Sequence, residues 1–110
     1  MTTLHQLAGL AGATRRLQRL VFDGTITAEQ KISLRSMEAS LSAVANEVLG
    51  EKPGGEIQSL ARNIDSMLAV QREFIRGDRK SSTIRVAKDL ERRVDRAVTE
   101  ALNDQPKLFT

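Results

Sequence analysis

The chain offers little with which to do covalent chemistry. Its one histidine, His5, stands where a helix is about to begin, and on that position it reads as a solvent-exposed side chain and not as a general base. No His-Glu-x-x-His or Glu-x-x-His spacing occurs, so neither the zinc-protease pattern nor the di-iron pattern of carboxylate bundles is present. Cysteine is absent, which excludes disulfides and thiolate metal sites. The carboxylates Glu38, Glu47, Asp65 and Glu91 flank the apolar stripes described below and do not sit in them, so paired inward acids are not expected. Gly50 to Gly55 is rich in glycine but lacks the P-loop spacing, and it follows a helical pattern where a P-loop follows a strand. The expectation is a non-enzyme with no catalytic residue, no metal site and no cofactor.

Charge is the second resource. Seventeen basic and 14 acidic residues leave a net +3, a mild excess whose distribution matters more than its sum. Basic residues crowd the span from Arg72 to Arg96, and on a helical wheel Arg85, Lys88, Arg92 and Arg96 stack into a stripe opposite an apolar face. Arginine's forked donors suit phosphate, so one reading is a track for a nucleic-acid backbone. The other is a solvated face, because Asp89, Glu91 and Asp95 flank the stripe at spacings that allow local ion pairs. No aromatics are interleaved with these cations, which argues against stacking on single strands. Any nucleic-acid contact would be to the backbone and sensitive to salt.

The elements that must position these residues are legible in the spacing. A chain of 110 residues with no tryptophan or tyrosine and three phenylalanines has the core composition of a helix bundle and not of a β-sandwich. Four segments carry the helical period. The first runs from about Leu4 to Phe22, opened by Thr3 and Gln6 at capping-box spacing and stopped by Gly24. Gly9 and Gly12 each cost a helix about 1 kcal/mol relative to alanine, so the first ten residues either fray or use Ala8, Gly9 and Gly12 to let another helix approach; fraying is the expectation. The second opens with Thr27 and Gln30, runs Leu34, Met37, Leu41, Val44, Val48 at heptad spacing and is expected to end at Gly50. The third spans about Glu56 to Arg76. Within it Gln71 falls where an apolar residue is due, which places it at the stripe's edge or, alternatively, in the seam as a register-fixing polar group. The fourth spans about Thr83 to Leu102.

Short connections between long helices favour antiparallel neighbours. The expected fold is therefore all-α, an antiparallel bundle of about four amphipathic helices over residues 1–103. The rival is a fusion of the last two helices into one long helix that dimerises. Either form makes a homo-oligomer an expectation. No run approaches 18 apolar residues and the start lacks a secretory signal's basic and apolar segments, so no membrane span is expected and the cytoplasm is the expected location.

Beyond Asn103 the helical pattern stops, and Pro106 biases residues 104–110 towards an extended tail. Leu108 and Phe109 are large apolar residues with no obvious cover, so they either fold back on the bundle or anchor in a partner's pocket. Gln105, Leu108 and Phe109 form a Gln-x-x-Leu-Phe pattern that resembles the peptides binding the bacterial DNA polymerase sliding clamp. It departs from their commonest form in having Pro106 where leucine stands and Lys107 where a small or acidic residue stands. The resemblance covers only these five residues. It implies that Gln105 makes polar contacts at a pocket edge while Leu108 and Phe109 fill an apolar cleft. The expected function is then a small helical interaction module, a replication accessory or inhibitor of phage or plasmid type, with the sliding clamp as protein partner. The alternatives are a nucleic-acid-associated regulator and a self-assembling structural protein.

Overall fold

The computed structural model describes residues 2–77 and 80–103, so the tail pattern lies outside the described residues. Four helices account for nearly all of what is described: α1 (Leu4–Asp23), α2 (Ala28–Glu51), α3 (Gly55–Ile75) and α4 (Ser81–Leu102). Each packs against the next, and α4 returns to α1, which closes an antiparallel bundle. Among the described residues α1 and α3 also approach across the diagonal, whereas α2 and α4 do not. The last two helices are separate and lie side by side, so the long fused helix does not form.

Local signals fix the helix starts. Thr3 Oγ1 accepts from the Gln6 N–H at 3.1 Å while Gln6 Oε1 accepts from the Thr3 N–H at 2.9 Å, and Thr27 with Gln30 repeats the pair at the same distances. Each box satisfies two donors that a helix start leaves open. Gly24, at φ 73°, ends α1 in the left-handed conformation that glycine adopts without strain. The end of α2 differs from expectation: the helix runs through Gly50 to Glu51 and closes on Lys52 at φ 51°. Pro53 disfavours the right-handed helical conformation at Lys52, so the proline, not the glycine, sets the stop.

Against the expectation of fraying, α1 is helical from Leu4 onward. Leu7 and Ala8 are fully buried, and at Gly12 a Cβ would stand 3.1 Å from Val98 Cγ1, so the missing side chain lets α4 approach α1 closely. No heavy atom lies within 4 Å of the same position at Gly9. Tertiary burial of Leu7, Ala8 and Ala11 outweighs the helix cost of two glycines. The core holds these residues with Leu41, Ala45 and Val48 of α2, Leu60, Ile64 and Met67 of α3, and Val94 and Val98 of α4. It occupies the half of the bundle that contains the α2–α3 connection.

Candidate functional site

Across the middle of the bundle the apolar seams give way to a layer of polar side chains from all four helices. On α1 the heptad positions Leu4, Ala8 and Ala11 continue as Arg15, Gln18 and Phe22, which puts an ion and an amide in line with the core. Arg15 is buried. It donates from Nε to Asp95 Oδ1 at 2.9 Å and from Nη2 to Asp95 Oδ2 at 3.2 Å, a forked pair between α1 and α4. Its Nη1 donates to Gln18 Oε1 at 2.8 Å and lies 3.7 Å from Glu91 Oε2.

Gln18 carries the layer onward. Its Nε2 donates to Glu38 Oε2 on α2 at 2.8 Å and to Gln71 Oε1 on α3 at 2.9 Å. Gln71 Nε2 donates back to Gln18 Oε1 at 3.1 Å and to Glu91 Oε2 on α4 at 2.7 Å. Gln71 thus stands in the seam and not at its edge, because Gln18 supplies a reciprocal amide partner at the same level. Glu38 and Glu91 flank their stripes, yet both turn inward to accept these bonds. Among the described residues no buried side-chain nitrogen or oxygen lacks a partner.

Electrostatics follow from this geometry. Burial by itself would raise the Asp95 carboxyl, but the hydrogen bonds and charge of Arg15, and then those of Arg19, outweigh it and hold the group below the ordinary aspartate range. Arg19 Nη2 reaches Asp95 Oδ2 at 3.1 Å from the solvent side. The acids beside the basic stripe were expected to pair locally. Only Asp89 does, with Arg93 one turn on at 3.0 Å; Glu91 and Asp95 reach across to α1, where a buried guanidinium attracts them more strongly than an exposed neighbour would.

Arg85, Lys88, Arg92 and Arg96 are all exposed on α4, and among the described residues none is in an ion pair. The structure therefore places the basic stripe where the sequence did, and leaves its charges free. Arg15 and Gln18 were missed by sequence reading, although their heptad spacing from Ala8 and Ala11 carried the signal. Gln105, Leu108 and Phe109 fall outside the described residues.

Beyond the polar layer burial thins: Leu34 is still buried, while Leu20, Phe74 and Ile84 are half-buried. Val21, Phe22, Ile32, Ile75 and Val86 are exposed, and all lie towards the end with the α1–α2 and α3–α4 connections. Two shallow grooves begin at the layer. One, of about 360 Å³ between α2 and α3, is lined by Ala39, Ser42, Leu68, Gln71 and Ile75 among others. The other, of about 280 Å³ between α1 and α4, includes Arg19, Phe22 and Lys88. Among the described residues no group of His, Asp or Glu is placed to hold a metal ion, and no helix is long and apolar enough to cross a membrane. Arg15, Gln18, Glu38, Gln71, Glu91 and Asp95 are bonded to one another, and these bonds tie the four helices together at one level. No family model, curated protein or solved structure matches the chain.

Proposed function

We propose that this chain is a non-enzymatic helical interaction module, a replication accessory or inhibitor that docks on the bacterial sliding clamp through Gln105, Leu108 and Phe109. The Gln-x-x-Leu-Phe pattern carries this reading. What supports it is position in the chain: α4 ends at Leu102, three residues before Gln105, and Pro106 disfavours a helical conformation at Gln105. The polar side chains of the bundle support the non-enzymatic part, since Arg15, Glu38, Glu91 and Asp95 are spent on interhelix bonds. Occupying the clamp's cleft would displace other clamp-binding proteins by mass action, with no chemistry required. The test is binding of the full-length chain to a bacterial clamp beside a Leu108→Ala/Phe109→Ala double variant. Binding lost in the variant with helicity unchanged supports the reading; binding kept by the variant, or none by the parent, overturns it.

A second reading rests on the free cations of α4. Arg85, Lys88, Arg92 and Arg96 form an exposed stripe that would contact nucleic-acid phosphates. This reading requires affinity for duplex DNA to fall steeply with added salt, and a flat salt response removes it.

A further inference from the structure

The groove between α1 and α4 brings together an exposed aromatic ring and the basic stripe. Phe22 is 84% exposed, and it lines this groove with Arg19 on its own helix and Lys88 on α4. A lone exposed ring is ordinary on a protein surface. This one stands at the head of a track of cations. The two helices run antiparallel away from it, and along them Arg19 and then Arg16 follow Phe22, while Arg92 and then Arg96 follow Lys88. All five arginines and lysines are exposed. Contacts set the α1 wall against α4. Arg19 Nη2 reaches Asp95 Oδ2 at 3.1 Å. Arg16 Nη1 lies 4.0 Å from the position a Cβ would take at Gly12, which Val98 Cγ1 of α4 approaches to 3.1 Å.

The acids nearby are mostly answered within the bundle. Glu91 accepts from Gln71 Nε2 at 2.7 Å and lies 3.7 Å from Arg15 Nη1, and Asp95 is held by Arg15 and Arg19. Asp23 also lines the groove and, among the described residues, is in no ion pair, so it is the one charge there that opposes an anion. One helix turn advances about 5.4 Å, comparable with the step between successive phosphates of an extended strand. We propose that the groove binds single-stranded nucleic acid, one base stacked on Phe22 and about three phosphates lying between the cations of α1 and α4. The groove's role rests on the reading of the α4 stripe as a phosphate contact, and it goes further in naming the strand. A duplex keeps its bases stacked inside and offers the ring no partner. Cations on two walls of a groove also suit a strand better than a flat membrane surface. No aromatic stands among the cations of α4 in the sequence; the fold supplies one from α1.

The test is fluorescence anisotropy of the full-length chain with a short labelled oligothymidylate and with a blunt DNA duplex. The strand binds more tightly than the duplex. Phe22→Ala weakens strand binding by roughly 5- to 100-fold and leaves its salt slope unchanged. Arg16→Gln, Lys88→Gln and Arg92→Gln each flatten that slope by about 0.7, whereas Arg62→Gln on α3 changes neither quantity. Phe22→Leu, which keeps apolar bulk but no ring, behaves as Phe22→Ala does. Phe22→Trp gives a chain without native tryptophan a single indole, which a stacked base quenches. All of these positions are exposed, so far-UV circular dichroism stays unchanged. Duplex binding as tight as the strand's, with Phe22→Ala indifferent, overturns the proposal and leaves the α4 stripe to duplex phosphates. No binding of either nucleic acid overturns both. An unquenched indole, or parental affinity in Phe22→Leu, removes the stacked base and the proposal with it. Capture by phosphatidylserine vesicles in place of the strand gives the groove to a membrane surface and overturns it equally.

Discussion

The two halves of the bundle share one heptad pattern and differ in what it buries. On one side of the polar layer Leu7, Leu41, Leu60 and Ile64 are sealed from solvent. On the other side Phe22 and Ile75 stand on the same stripes, four residues beyond Gln18 and Gln71, and are 84% and 74% exposed. A seam position does not guarantee burial; the helices must also stay together at that level, and here the contiguous core stops at the polar layer. The packed half carries stability, and the open half presents surface.

The comparison breaks most plainly by truncation. Leu41→Ala or Leu60→Ala should cost about 2–5 kcal/mol, as expected for a cavity in a close-packed core. Phe22→Ala, a larger deletion, should change stability by no more than about 0.5 kcal/mol. Urea midpoints for the three variants measure the contrast, and a Phe22→Ala loss comparable with the leucines would mean that both halves share one core.

The layer that divides them comes next. Arg15→Met leaves Asp95 with Arg19 alone and takes one of two donors from Gln18 Oε1 and the nearby cation from Glu91, so a loss of up to about 3 kcal/mol is expected. Adding Asp95→Leu and Glu91→Gln to that variant should recover much of it, since the carboxylates that faced Arg15 are then gone and no charge is left there without its partner. No recovery would mean that the layer is worth more than its pairwise bonds.

Acid sharpens the same point. The native Asp95 carboxyl is held below its unfolded value, so its contribution is complete above the ordinary aspartate range, near pH 3.9, and is lost as pH falls from there through the lowered native value. The gap in urea midpoint between the parent and Asp95→Asn should therefore be wide at pH 6 and narrow at pH 2.5. A gap that stays constant would show that Asp95 acts through packing and not through its charge.

The smallest effect separates two glycines of α1. Gly9→Ala meets nothing within 4 Å and should stabilise the chain by up to about 1 kcal/mol. Gly12→Ala places its Cβ 3.1 Å from Val98 and should gain less or lose stability. Thermal melts of the two variants would rank them, and equal gains would mean that α4 moves away freely.

Much of this was determined by the sequence alone. The four helices, both capping boxes and the exposed stripe of Arg85, Lys88, Arg92 and Arg96 depend on neighbours three and four residues apart, and such spacing is written in the chain. The amides and carboxylates of the middle layer are different. Gln71 is a seam residue only because Gln18 stands opposite it, and Asp95 turns from the nearby cations of α4 because Arg15 is buried 80 positions away. Gly12 reads as a helix weakness until Val98 is packed upon it. Tertiary structure decided these because a polar group's cost depends on which partner shares its burial, and that partner comes from another helix. The same holds for Phe22 and Ile75, whose spacing assigns them to a core that ends before it reaches them.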